Sequence, residues 1–162
     1  MINLDEAKIV LFDFDDTLCI HSRHKKGSDT EYRKAMIARD PEWWDKQGCQ
    51  VNKQLKSFMD ICSEKDKIMG LISAIDFSCT AEAKLNWVAN KYHYTLRNFC
   101  TGSFEGKKRI IQALLDGYGY KPENVLFIDD LYSNLEATAE LGVQTATPME
   151  VVNYINSLDN RF

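Results

Sequence analysis

The sequence predicts an α/β protein: a central parallel sheet of about five strands with helices on both faces. Two observations carry this. The runs Ile9–Phe14, Lys67–Ser73 and Val125–Ile128 have the make-up of short strands buried on both faces. Longer segments with apolar residues at helical spacing alternate with them, the pattern of strand–helix–strand units. A third observation concerns function: the first and last of these runs end in aspartates, and open parallel sheets gather chemistry at the carboxyl ends of their strands.

The elements follow in order. Ile9–Phe14 is the first strand. Cys19–Asp29 is polar and basic, a loop or hairpin. Thr30–Arg39 reads as a helix stopped by Pro41. Leu55, Phe58, Met59 and Cys62 form the apolar stripe of a helix that reaches about Ser63. Lys67–Ser73 is the second strand. Leu85, Val88, Ala89 and Tyr92 mark another helix, for which Thr80 is the expected N-cap. Leu96–Thr101 is a weaker strand. Ile110, Ile111, Leu114 and Leu115 form a helical stripe that ends near Gly117 and Gly119. After Val125–Ile128 come a helix over Leu135–Leu141 ended by Gly142, a short strand Val143–Ala146, and a last helix opened by Thr147 and Pro148. The one break in the alternation is 19–63, an expected flap or small cap inserted into a single domain spanning 1–162.

A chain of 162 residues with 44% hydrophobic and 27% charged residues has room for one core. A net charge of −4 argues against a nucleic-acid coat or an anionic membrane surface as the main partner. No apolar run approaches the roughly 20 residues of a membrane span, and the short acidic start is not a signal peptide. The five cysteines are odd in number, widely spaced and form no C-x-x-C. They read as reduced thiols, so a cytoplasmic location is expected.

Asp13, Asp15 and Asp16 crowd the end of the first strand. Carboxylates so close repel one another unless a cation neutralises them. Mg²⁺ takes hard oxygen ligands and suits such a site; a nucleophilic carboxylate is the other use. Ser73 ends the second strand, Asp129 and Asp130 end the fourth, and Lys107 or Lys108 opens a helix between them. Together they outline a metal-dependent phosphate site.

In these residues the chain resembles the haloacid dehalogenase-like (HAD) superfamily of hydrolases. The family's D-x-D-x-T motif matches Asp13-Phe14-Asp15-Asp16-Thr17, its second-strand Ser/Thr matches Ser73, its helix lysine matches Lys107 or Lys108, and its acidic fourth motif matches Asp129-Asp130. The apolar residues that relatives place three and four positions after the lysine match Ile110 and Ile111, which favours Lys107. The resemblance implies a Rossmann-like HAD fold, with Asp13 as nucleophile and Asp15 as general acid/base whose carbonyl also binds Mg²⁺. Thr17 would hold the loop, Ser73 a phosphoryl oxygen, and Lys107 the charge beside Asp13. Asp130 would ligate Mg²⁺, with Asp129 acting through water or as a supporting acceptor. Dehalogenating members lack the second aspartate, so Asp15 favours phosphate chemistry. Asp16 replaces a glycine common in relatives and is expected to shape the turn. Lys84-Leu85-Asn86-Trp87-Val88 is similar to a segment of the 5′(3′)-deoxyribonucleotidases, although those enzymes place the motif lysine nearer the fourth motif.

The expected activity is that of a Mg²⁺-dependent phosphomonoesterase with an aspartyl-phosphate intermediate. Nucleotides or sugar phosphates are the first expected substrates, and a phosphorylated nucleic-acid end or protein the second. A phosphotransferase and a non-catalytic phosphate-binding module are the alternatives. His21–Lys26 is a basic patch either overhanging the site or solvated, and Trp43-Trp44 either stacks a base or packs the insertion. Cys19 is read as a bystander. Nothing in the sequence sets the oligomeric state.

Overall fold

The computed structural model describes residues 1–22 and 27–161. The chain runs β1 (Ile9–Phe12), β2 (Cys19–Ile20), α1 (Asp29–Ile37), α2 (Trp43–Lys46), β3 (Gln50–Val51), α3 (Lys53–Glu64), β4 (Ile68–Leu71), α4 (Ser78–Tyr92), β5 (Arg97–Asn98), α5 (Phe104–Tyr118), a 3₁₀ turn (Pro122–Asn124), β6 (Val125–Ile128), α6 (Tyr132–Ala139), β7 (Gln144–Ala146) and α7 (Pro148–Asp159). Five strands make one parallel sheet in the order β5-β4-β1-β6-β7. β1 is therefore central, with Leu11 registered against Gly70 on one side and Phe127 on the other.

Alternation along the strands divides the core in two. Val10 and Phe12 point into a cluster with Phe58 of α3, Trp87 of α4 and Val151 of α7. Ile9 and Leu11 point into a second cluster with Ile111 and Leu114 of α5 and Leu135 of α6. Both faces of β1 are covered, which is why its sequence is a continuous apolar run rather than an alternating one.

The insertion leaves the sheet at Leu18 and returns at Asn52. Tyr92 clamps both points: its hydroxyl donates to the Leu18 carbonyl and accepts from the Asn52 amide at 3.0 Å. Between them, β2 and β3 pair as a small antiparallel ladder, Cys19 against Val51, carrying α1 and α2. The segment 53–63, grouped with the insertion on the sequence, lies in the helical layer of the main sheet instead. Its stripe buries Leu55, Phe58, Met59 and Cys62, and the Phe58 ring meets Phe12 at 6.3 Å and Tyr154 at 6.0 Å.

The insertion shares the main core. Trp44 packs edge-on against Phe14 at 5.0 Å, and Phe14 against Trp87 at 5.4 Å. Trp87 Nε1 donates to Asp45 at 3.0 Å, and Arg39, just past the end of α1, pairs with Glu82 of α4. Burying Trp44 in this cluster contributes about 3 kcal/mol by area alone.

Thr80 does not cap α4. The helix begins at Ser78, and Asp76 just upstream accepts from both the Phe77 amide (3.0 Å) and the Thr80 hydroxyl (3.2 Å). No side chain caps the first-turn amides of this helix, and the Thr80 hydroxyl is spent on Asp76. Elsewhere the caps match their residues. Thr147 and Glu150 form a reciprocal capping box at α7, and Gly119 ends α5 in the left-handed region. All five cysteines are free thiols. Among the described residues no helix is long and apolar enough to cross a membrane.

Candidate active site

β1 and β6 are adjacent and in register, so Asp13 and Asp129 emerge side by side from the same sheet edge. The Asp13 amide donates to the Ile128 carbonyl at 2.9 Å, which extends the ladder one residue into the site. Both side chains are buried, and Lys107 lies between them. Its ammonium donates to Asp13 Oδ1 at 2.7 Å and to Asp129 Oδ2 at 2.8 Å. Lys108, one residue on, pairs with Glu140 at the surface instead.

Lys107 reaches this position because α5 starts unusually close to the strand ends. A side chain at Gly106 would collide with Thr101, so the glycine allows the close approach. Ser103 caps the helix by accepting from the Gly106 amide at 3.0 Å.

Asp129 is fully engaged, accepting from Lys107, Asn134 Nδ2 (2.9 Å) and the Leu131 amide (2.8 Å). Asp130 is half-buried and accepts from the Thr17 hydroxyl at 3.3 Å. That hydroxyl also lies 3.4 Å from Asp13 Oδ2, so Thr17 ties the first strand end to the fourth. Oxygens of Asp13, Asp129 and Asp130 lie within 4.8 Å of one another. A small divalent cation reaches its ligands at about 2.0–2.1 Å and prefers such hard donors, so the set fits Mg²⁺.

Asp16 adopts φ 56°, a left-handed turn that an aspartate tolerates, and its side chain accepts from the His21 amide at 3.1 Å. It shapes the turn and lies outside the metal-compatible set. Asp15 points the other way from Asp13. Its two oxygens meet Lys84 Nζ at 2.8 Å and His21 Nε2 at 2.7 Å. Lys84 also donates to Ser73 Oγ at 2.8 Å and lies over the Phe14 ring at 4.8 Å. Ser73 is wholly buried.

The electrostatics separate the two aspartates. Burial pushes the Asp13 carboxyl up to about 7; Lys107 opposes this and the Asp129 charge adds to it. Burial also raises Asp15, but the His21 hydrogen bond and the Lys84 charge outweigh it and hold the group at about 2. Its hydrogen bond to Asp15 raises His21 in turn. Burial and the Asp129 charge raise Asp130. Burial lowers Lys107, yet the two carboxylates beside it raise it overall.

Lys84 and Asp76 were not assigned roles from the sequence. The signal for Lys84 was present: it lies on the buried stripe of α4, three and four residues before Trp87 and Val88. A lysine in an apolar stripe needs a partner. Asp76 carried no such mark. Trp43 and Trp44 are both buried, pack within the insertion and also line the cavity beside Asp15. Of the basic patch, His21 meets Asp15, while Arg23, His24, Lys25 and Lys26 lie outside the described residues. A cavity of about 820 Å³ opens beside Asp15 between the insertion and the loops after β4 and β5. Cys19 is buried below it, and burial raises its thiol far above the ordinary range.

The five-stranded parallel sheet with helices on both faces is that of the HAD-like hydrolase fold, and the chain has that fold. It is similar to a predicted HAD-like family hydrolase from Porphyromonas gingivalis, with TM-score 0.55 and 16% identity over 88% of this chain and 91% of that one. It is also similar to a HAD-superfamily hydrolase from Ehrlichia chaffeensis, with TM-score 0.54 and 16% identity over 94% and 97% of the two chains. A HAD family enzyme from Bacteroides thetaiotaomicron, solved as a magnesium complex, gives TM-score 0.50 and 18% identity over 88% and 93%. No curated protein matches the sequence. The chain belongs to the family described as protein of unknown function (DUF2608), whose profile matches residues 73–161.

Proposed function

We propose that this protein is a Mg²⁺-dependent phosphomonoesterase that works through an aspartyl phosphate on Asp13. The observation that carries the proposal is the pairing of Asp13 with Lys107 inside a three-carboxylate cluster of metal-binding dimensions. Asp13, Asp130 and the Asp15 carbonyl would hold the ion, with Asp129 acting through water. When bound, Mg²⁺ offsets the charge of the phosphoryl group as it meets the carboxylates. The magnesium complex of the Bacteroides enzyme, which shares the fold, supports the choice of metal.

Each residue then has one task. An Asp13 carboxylate oxygen bonds to phosphorus as the ester P–O bond breaks. Asp15, on the cavity side and ionised in the free protein, would pass to the departing alkoxide a proton drawn from the His21 bonded to it, and would take one back from the water that hydrolyses the aspartyl phosphate. Lys107 neutralises Asp13 and the phosphoryl oxygens, and Thr17 fixes the turn between the two aspartates. Lys84 aims Ser73 and Asp15 toward a common point by bonding both.

The test is hydrolysis of p-nitrophenyl phosphate with Mg²⁺, with Mg²⁺ plus excess EDTA, and by Asp13→Asn. Activity abolished by EDTA and by the substitution is expected. Equal rates for wild type and Asp13→Asn would sink the nucleophile assignment. Product analysis with added alcohols distinguishes hydrolysis from phosphoryl transfer.

A further inference from the structure

The phosphatase chemistry uses the strand ends and leaves the 820 Å³ cavity beside them unexplained. We infer that this cavity is a subsite for a leaving group bearing a flat aromatic ring, so that the substrates are nucleoside monophosphates rather than sugar phosphates; the inference rests on the phosphatase proposal. Asp15 lines the cavity and Asp13 does not. The proton donor thus stands between the attacked phosphorus and this space, which is where the departing alcohol must lie.

Phe104 is the main reason to expect a ring there. It is 60% exposed, yet it lines the cavity at the first position of α5. It belongs to neither core cluster. Its ring centroid is 5.8 Å from Lys107 Nζ, the atom that meets Asp13. A ring stacked on Phe104 would therefore lie within the reach of one sugar from the phosphoryl position. Exposed aromatic faces stack on bases of any sequence.

The insertion adds a fixed aromatic wall. Tyr32 packs against Trp43 at 5.7 Å and donates its hydroxyl to Asp76 Oδ1 at 3.0 Å. That same oxygen accepts from Phe77 N and Thr80 Oγ1, so the Asp76 carboxylate is held in place on the cavity wall. A carboxylate here repels a second phosphate and accepts from the amino or imino groups of a base. Among the described lining residues the cations are Lys84 and His21, and both are bonded to Asp15 at the floor. The wall is suited to a neutral, donor-bearing aromatic group.

The test uses the full chain with Mg²⁺. The kcat/KM values for the four common nucleoside 5′-monophosphates and for ribose 5-phosphate are compared in wild type, Phe104→Ala and Phe104→Tyr. Wild type is expected to prefer the nucleotides. The nucleotide-to-ribose 5-phosphate ratio should fall about 5- to 150-fold in Phe104→Ala, the range set by losing one base–aromatic stack, and should persist in Phe104→Tyr. An unchanged ratio in Phe104→Ala overturns the inference. Calorimetric binding of unphosphorylated nucleosides provides a readout that needs no turnover. Weakening by the same factor in Phe104→Ala supports the subsite even if phosphatase activity fails, and no nucleoside binding by wild type at millimolar concentration overturns it.

Discussion

Replacing Lys107 with Met removes the one cation between two buried carboxylates. The side chains of Lys107, Asp13 and Asp129 are 2%, 7% and 0% exposed, so water cannot screen the change. An opposite-charge pair near 4 Å gains about 4 kcal/mol at an effective dielectric of about 20. Breaking a buried pair by deleting one partner costs about 3–5 kcal/mol. For a chain of this size that corresponds to a melting temperature lower by about 8–16 °C. The cost should depend on pH. Asp13 already sits at about 7 against an ordinary 3.8, and losing Lys107 raises it further. A carboxyl raised in the folded state contributes stability below its unfolded pKa and loses it as pH rises through the folded one. The deficit of Lys107→Met should therefore be larger at pH 8 than at pH 5. Mg²⁺ should restore stability to the variant more than to wild type, because it re-neutralises the orphaned carboxylates. Thermal unfolding followed by circular dichroism, in EDTA and in Mg²⁺ at both pH values, measures all of this. Wild-type stability in EDTA at pH 8, or an equal deficit at both pH values, would refute the buried three-way pairing.

Three further outcomes are expected. In EDTA, Asp13→Asn should melt above wild type at pH 8 and converge with it toward pH 4, since it removes a buried charge that forms only as pH rises toward about 7; pH-dependent melting curves check this. Lys84→Met should raise the Asp15 pKa from about 2, because the lysine is one of the groups holding it down, and, since Asp15 acts as the proton donor, should move the fall of kcat/KM with rising pH to higher pH. Trp44→Ala should cost about 3–5 kcal/mol and lower the single unfolding transition of the whole chain. The insertion shares the Phe14–Trp87 cluster, so a separate early transition in denaturant would show that it folds independently.

Much of the fold was legible because its central strands are buried on both faces. Val125–Ile128 reads and folds as the same four residues. Thr147-Pro148 reads and folds as a capped helix start. The marginal elements were harder. β5 is only Arg97–Asn98, an exposed edge strand whose pairing, not its side chains, defines it. The helix 53–64 was misgrouped because an amphipathic stripe shows that a face is buried without showing against what. Thr80 lies inside the helix rather than before it, because the helix starts at Ser78, earlier than its apolar stripe shows, and its hydroxyl donates to Asp76.

The candidate site divides in the same way. Sequence alone determined which groups are present: a D-x-D-x-T turn, a strand-end serine, a helix lysine and a pair of aspartates. Like charges so dense at strand ends are too costly to be idle, and that physics needs no coordinates. Tertiary structure decided how they are shared. It joined Asp13 to Lys107 and Asp129, gave Asp15 to Lys84 and His21, and set Phe104, Tyr32 and Asp76 around one cavity. Apart from His21, which follows Asp15 closely, those partners are tens of residues apart in the chain. Their meeting depends on strand order, on the close start of α5 at Gly106 and on where the insertion folds back, none of which leaves a local pattern in the sequence.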